Sequence, residues 1–552
     1  MATINGTDGN DLFRITDNPV GADEFFLGAG NDFVFANIGA DSYFGGDGID
    51  SVSYRFAASS VTLNLATGGT GGIAAGDIYD SIERIFGSNF DDFITGSLSA
   101  DFLYGGLGND TLNGDNGNDR LFGQDGNDII NGGNGNDYIE GGDGADTING
   151  GAGIDTIGFT TASEGVTVNL STALPLPPTS PPSSSPQAET SQSGPSEPVL
   201  SNAALGDTYV SIENISGSNF DDDLTGDTLA NLINGRAGDD FLRGLEGNDI
   251  LIGGLGADTI FGDEGSDNLQ GGSGNDEIFG GEGDDRIFLG EGEDYAEGGE
   301  GNDFFFLTND GVSDEVYGGN NTDGDGPNTD NGFDTVSYIQ ATAGVEVFLG
   351  GLIPLFPLFP DSAQPLDTEL DIVDFESDIL VGIERIIGSN FDDTIFGGFE
   401  DETIIGGNGD DTLDGNGGRD RLIGGNGADD FGFTIGDSDV DAILDFEQGV
   451  DTITFFTFDE GLTEADILAT IVDFGTHFVF EFGVIEDGSP LEQRLSVIKD
   501  DPDLVLTVDD FTIILLDDGL LEPLFQEPFE DISGSEVFTE MGIDSYDLDA
   551  LI

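Results

Sequence analysis

The chain has 552 residues, with 111 Asp or Glu against 12 Lys or Arg and a formal net charge of -99. It holds no cysteine and a single histidine, His477, which excludes disulfides, thiolate chemistry, Cys-ligated zinc, iron–sulfur clusters and a multi-His metal centre within one chain. One lysine, Lys499, and scattered arginines speak against nucleic acid, whose phosphates need clustered positive charge.

In chain order, Met1 to Asp8 has neither a basic nor an apolar stretch, so no Sec-type signal peptide is read there. No apolar run reaches the ~18 residues of a membrane span; the most apolar stretch, Leu352 to Pro360, is short and broken by prolines. The expectation is a soluble chain with any export signal away from its front. Residues 1–47 read as a repeat-like N-terminal cap. Acids recur every nine residues there, at Asp23, Asp32 and Asp41, and run on to Asp50.

Residues 48–158 form a first module. It opens GIDSVSYRF at Gly48 and continues with VTLNL at Val61, whose period of two marks a half-buried strand. A glycine-rich link, SIERI at Ser81 and GSNFDD at Gly87 follow. From Gly105 the chain reads GGLGNDTLN, GDNGNDRLF, GQDGNDIIN, GGNGNDYIE, GGDGADTIN, GGAGIDTIG. The sixth position is always acidic, at Asp110, Asp119, Asp128, Asp137, Asp146 and Asp155, and the register extends back through Asp101 and Asp92. The eighth is always aliphatic, from Leu112 to Ile157.

The second module, residues 159–331, is aligned on GIDTIGFTT at Gly153, VTVNL at Val166 and SIENI at Ser211. A Pro/Ser loop over 171–205 separates the last two and reads as an inert tether. Its array, 217–306, carries Asp240, Asp249, Asp258, Asp267, Asp276, Asp285, Asp294 and Asp303, with Ala296 marking a weak coil. The third module, residues 332–430, repeats the scheme with GFDTVSYIQ, VEVFL, a loop over 350–376 and GIERI. Its worn array holds Asp393, Glu402, Asp411, Asp420 and Asp429. Glu83, Glu213 and Glu384 recur beside Arg84, Asn214 and Arg385; they read as an ion pair or an additional ligand at the start of each array, not as catalytic acids. Tyr54 and Tyr338 share one module position with Phe159, which reads as packing. In the closing segment, 431–516, Thr463 is expected to cap a short helix, and HFVFEFG and LVLTVDDFTIILL read as strands. Residues 517–552 form an acidic tail.

The nine-residue pattern GGxGxDxUx, with U a large apolar residue, resembles the RTX (repeats-in-toxin) calcium-binding proteins, and the closing segment resembles the one that ends the roll in serralysin-type proteases. Physical chemistry leads the same way. Six glycine-rich residues make a turn and three make a strand whose middle side chain points inward. Two units return the chain to its starting edge, so one coil takes eighteen residues and coils stack as parallel strands. The fold class expected is all-β, a parallel β-roll or β-solenoid of three modules with a C-terminal capping segment. Aspartates then recur along each edge, where their charges repel unless cations lie between turns. All-oxygen ligands in a flexible setting suit Ca²⁺ over Mg²⁺.

The resemblance implies that Ca²⁺ is held by the aspartates named above, from Asp92 to Asp155, from Asp240 to Asp303, and Asp393, Asp411, Asp420 and Asp429. The accompanying backbone carbonyls would be those of Gly106, Gly108, Gly117, Gly126, Gly133, Gly135 and Gly144, and of Gly254, Gly256, Gly265, Gly274 and Gly283. It also implies type I secretion through a C-terminal signal, from a Gram-negative-type bacterium to the exterior or cell surface. No HExxH or GxSxG occurs, and His477 reads as packing within a strand. The expected role is a non-enzymatic structural, adhesive or surface-layer component, contacting acidic polysaccharide or a cell surface through Ca²⁺ bridges. The alternative is a secreted polysaccharide-modifying enzyme.

Overall fold

The structure, a computed structural model, describes residues 3–14, 21–171, 203–308, 310–319, 333–349, 378–398, 400–434, 440–447, 450–457, 471–473, 477–482, 493–498 and 511–515. It is an all-β solenoid of about 20 turns with no α-helix among the described residues. Among the described residues no helix is long and apolar enough to cross a membrane.

The coil follows from the nonapeptide. Thr111–Asn116 pairs in parallel with Ile129–Asn134, Leu112 facing Ile130, and Phe102–Leu107 pairs likewise with Arg120–Asp125, Leu103 facing Leu121. Pairing partners are thus one coil, two nonapeptides, apart. The eighth-position side chains Leu112, Leu121, Ile130 and Ile139 are 0% exposed and fill the space between two walls. Full burial of each is worth roughly 1.5–3 kcal/mol. Ala296 is also buried, and leaves less side chain in its coil. Strands in the arrays are longer than the three residues expected. Most run six residues, because pairing resumes beyond the first-position glycine, as in Asp115 with Gly133, while those at the array ends, such as Asp223–Thr225 and Phe304–Phe306, keep three.

The two walls differ. One is continuous from Leu12–Arg14 through Arg120–Asp125 and Arg286–Glu291 to Arg421–Asn426 and Val440–Ile443. Leu12–Arg14 pairs only with Phe33–Phe35 among the described residues, so this wall is an open ladder rather than a closed barrel. The other is divided into four sheets, broken at each module. Thr62–Asn64 pairs forward with Phe93–Thr95, whereas Ile78–Asp80, later in the chain, pairs back with Ser42–Asp47. The same leap and return occur at Thr167–Asn169 and Thr208–Val210, and again at Glu346–Phe348 and Ile379–Val381. All three variable loops therefore attach to the divided wall; residues 172–202 and 350–377 of the longer two lie outside the described residues.

The continuous wall ends in antiparallel strands, with His477–Phe482 between Ile471–Asp473 and Gln493–Ile498. Phe511–Leu515 extends the divided wall beside Thr452–Thr457. The strand expected at HFVFEFG is present, and of LVLTVDDFTIILL the part Phe511–Leu515 is a strand, its first half lying outside the described residues. The helix expected at Thr463 and the acidic tail lie outside the described residues.

Candidate metal sites

Each sixth-position aspartate is buried beneath its turn, not displayed along an outer edge: Asp110, Asp119, Asp128 and Asp146 are each 1% exposed. The reason is a backbone ladder. The N–H of Asp110 donates to Asp128 Oδ1 at 2.7 Å, and that of Asp128 to Asp146 Oδ1 at 2.8 Å. On the opposite wall Asp101, Asp119 and Asp137 hand on to Asp119, Asp137 and Asp155 in the same way. One carboxylate oxygen thus completes the coil below it.

The second oxygen has no protein donor. Oδ2 is buried without a hydrogen-bond partner in Asp110, Asp119, Asp128, Asp137, Asp146 and Asp155. The same holds in Asp240, Asp249, Asp258, Asp267, Asp276, Asp285 and Asp294, and in Asp411 and Asp420. Burial of a carboxylate without a partner is costly. Burial is accordingly the first cause that pushes Asp110, Asp119 and Asp128 up to about 7 and Asp240 to about 8, ahead of repulsion by neighbouring carboxylates. Repulsion between aspartates, the driving force expected from spacing alone, is secondary to desolvation.

The surroundings are oxygen-rich backbone. A Cβ on Gly123 would meet Asp128 Oδ2 and the Gly141 carbonyl oxygen; one on Gly132 would meet Asp137 Oδ2 and the Gly150 carbonyl oxygen. The fourth-position carbonyls of Gly108, Gly117, Gly126 and Gly135 face the same glycine one coil on, as do those of Gly256, Gly265, Gly274 and Gly283 in the second array. The second-position carbonyls of Gly133 and Gly254 face Gly151 and Gly272. No group of three or more His, Asp or Glu side chains stands together among the described residues. A cation here must therefore take most of its donors from turn carbonyls, with one buried carboxylate oxygen per turn. Orphaned carboxylate oxygens, glycine turns and the absence of nitrogen or sulfur donors fit a hard, flexibly coordinated cation such as Ca²⁺. Bound there, it would supply the positive charge that the Oδ2 atoms lack.

Not every expected ligand belongs to this orphan set. Asp92 accepts from Ser88 N–H at 2.5 Å, Ser88 Oγ at 2.8 Å and Val61 N–H at 2.6 Å. Asp393 is held in the same way by Ser389 and Val345. Asp101 Oδ2 accepts from Ser97 N–H at 2.5 Å. In the worn repeat, Glu402 keeps the ladder, its N–H donating to Asp420 Oδ1 at 2.8 Å, and burial beside Glu402 raises Asp420. Asp303 takes its ladder place by accepting from Asp285 N–H at 2.8 Å, and Asp429 by accepting from Asp411 N–H at 3.0 Å.

Sequence reasoning missed several members. Asp32 and Asp50, in the N-terminal run, also have orphan Oδ2 atoms. Asp77, Asp207 and Asp378 close the ladder at the module joints, where Tyr54, Tyr209 and Tyr338 hydroxyls donate to them at 2.7, 3.1 and 2.8 Å. The shared signal was an Asp four residues before SIERI, SIENI and GIERI. Tyr54 and Tyr338 are thus more than packing, whereas Phe159 leaves that hydrogen bond to Tyr209. Glu83, Glu213 and Glu384 are ladder acceptors too, for Asp50, Asp155 and Asp334 N–H. Of the two readings of Glu83, an ion pair or an additional ligand, the pair with Arg84 does not form; Arg84 lies 4.8 Å over the Phe102 ring. A second ladder runs through the fifth position, where Asn109 and Asn127 accept from the N–H of Asn127 and Ala145.

Asp128→Asn is expected to act in opposite directions with and without metal. In chelator the neutral amide removes the buried charge and stabilises the fold, by at most ~4 kcal/mol for a shift of about three pKa units. At calcium a hundredfold above the site's dissociation constant, losing one site costs ~2.7 kcal/mol. Urea unfolding in each condition checks the crossing; destabilisation of equal size in both would mean that the carboxylate serves only the ladder.

A scan against protein-family models matches the RTX calcium-binding nonapeptide repeat (4 copies) at residues 20–52, 86–157, 216–305 and 381–431, the last three being runs of contiguous or overlapping matches. No curated protein matches the chain.

Proposed function

Since the chain belongs to the RTX calcium-binding nonapeptide-repeat proteins, we propose that it is a secreted structural or adhesive component that folds when it meets extracellular calcium. The observation that carries this reading is the double row of buried Oδ2 atoms without donors. A solenoid holding so many uncompensated carboxylates is unstable alone and is stabilised by any cation that binds only the folded form. Many sites make folding steep in calcium concentration. The chain stays open at sub-micromolar calcium, fit for threading through a type I channel, and closes at millimolar calcium outside. Remaining surface charge favours Ca²⁺-bridged contact with acidic polysaccharide or a cell surface.

A far-UV circular dichroism titration of the chelator-stripped chain tests this, with magnesium as control. Cooperative gain of β signal with calcium alone is expected; a chain fully folded in chelator and unmoved by calcium would overturn the reading.

A second, enzymatic reading has one observation in its favour. A cleft of about 660 Å³ on the divided wall is lined by Arg243, Asp263, Phe261, Phe279 and Glu297. Three of its polar groups are already engaged: Arg243 is paired with Asp263, and Glu297 accepts from Tyr295 Oη at 3.1 Å. We propose that the protein is not an enzyme and leaves alginate- or pectin-like polymers intact; release of reducing ends would reverse that.

A further inference from the structure

The two walls carry opposite charge at equivalent positions. On the continuous wall the residue after each ladder member, an acid everywhere but at Asn231, forms one in-register column from Leu12 to Arg421. That column holds Arg84, Arg120, Arg286, Arg385 and Arg421 and not one Asp or Glu, in a chain with 111 acids. The same column of the divided wall's longest sheet holds Asp223, Glu277 and Glu315 and no Lys or Arg.

The arginines are not consumed internally. Among the described residues the ion pairs are Arg243–Asp263 and Arg419–Asp401, neither in the column. Arg120 instead lies 5.9 Å from the Phe102 and Tyr138 ring centroids, and Arg385 lies 4.6 Å over Phe333. Arg286 and Arg421 are exposed, as are Glu277 and Glu315.

The spacings coincide. Arg286 and Arg385 are three strands apart, through Phe304 and Thr335, and Arg421 follows two strands later, through Thr403. Asp223 and Glu277 are likewise three strands apart, through Phe241 and Thr259, and Glu315 follows two later, through Tyr295. Both ladders have the same pitch of about 4.8 Å. A second copy of this chain matches that pitch by construction.

We propose that the continuous wall of one copy docks on the Asp223–Glu315 face of a second, parallel copy, with Arg286, Arg385 and Arg421 opposite Asp223, Glu277 and Glu315. This rests on the structural role proposed above and names its partner. Such alignment displaces the copies by about three and a half coils, roughly 17 Å along the axis. The contact is heterologous and does not close, so copies add side by side into an open, staggered array. Four strands of six residues and four of three, about 4.8 Å apart, give a face of about 580 Å² per partner at most, the size of a small, weak interface held by charge. The row Glu246, Glu264, Glu282 and Glu300, paired in register at the far end of the same strands, adds to the acidity of this sheet.

Sedimentation velocity of the calcium-loaded full chain tests this. Wild type is expected to form growing, concentration-dependent species. R385E/R421E and E277R/E315R should each lower the association constant by about tenfold or more, with the calcium midpoint of circular dichroism unchanged. An equimolar mixture of the two variants should restore mixed assembly. A folded monomer up to ~100 μM, or variants that assemble like wild type, would overturn the docking; so would a monomer that binds a polyuronate through Arg385 and Arg421. A chain that is folded in chelator and still assembles would keep the docking and overturn calcium-driven folding instead.

Discussion

Stripped of calcium, the chain is expected to fold in acid and to open as the pH rises. The ladder carboxylates lie far above the 3.8 of an unburied aspartate: Asp146, Asp155, Asp258 and Asp267 at about 6, Asp110, Asp119, Asp128 and Asp276 at about 7, Asp240 at about 8. A folded-state pKa above the unfolded one means that the folded state binds protons more tightly. Its stabilising effect is complete below about pH 3.8 and is lost as pH rises through 6 to 8. At pH above 8 these carboxylates are all charged in the folded chain, and their combined cost weighs against the roughly 5–15 kcal/mol of net stability that a whole domain has. Calcium reverses the sign, because its ligands must be deprotonated, so acid then competes with the metal. Circular dichroism between pH 4 and 8 should show β signal falling with pH in chelator and rising with pH at limiting calcium. A β signal in chelator that is already full at pH 8 would show that the Oδ2 atoms have partners of their own.

Gly126→Ala is expected to be among the most damaging single methyls in the first array. Gly126 has φ +146, outside the range that L side chains favour, and its added Cβ would strike the Gly108 carbonyl and approach Asp128 Oδ1 at 3.2 Å. Backbone strain of roughly 1–2 kcal/mol adds to overpacking of roughly 1–3 kcal/mol, and the contact is backbone, which cannot swing aside. The displaced Gly108 carbonyl is also among the oxygens expected to face calcium, so affinity should fall with stability. Gly9→Ala is the control: the new methyl meets only Thr7 Oγ1 at 4.0 Å, and the change should stay within about 0.5 kcal/mol. Urea midpoints at fixed calcium compare the two. Equal effects would mean that the turns yield enough to absorb a side chain.

Much of the fold was legible because its unit is nine residues long. Asp110, Leu112 and Gly108 recur with their neighbours at a strict period, and no distant partner is needed to infer that Leu112 faces inward and meets Ile130 one coil later. The candidate ligands were legible for the same reason. Their state was not. That Asp128 spends one oxygen on the coil below while Asp92 spends both on Ser88 and Val61 depends on what the chain brings to each turn from 18 or 31 residues away. The role of Tyr338 at Asp378 spans 40 residues across an insertion, so no local pattern reveals it.

By itself the sequence determined the repeat, the inward aliphatic column, the oxygen-only donor set and hence a roll of calcium-binding repeats, since each is a property of one nonapeptide copied many times. The tertiary structure decided the rest. Stacking buries the aspartates and makes desolvation, rather than mutual repulsion, the dominant reason they need a cation. The leap and return at each module divides one wall and leaves the other whole. Winding sorts alternate nonapeptides onto opposite walls, which gathers arginines that look scattered along the chain into one column and sets acids opposite. A residue's wall depends on how many nonapeptides and insertions precede it, a sum over the whole chain that no single repeat contains.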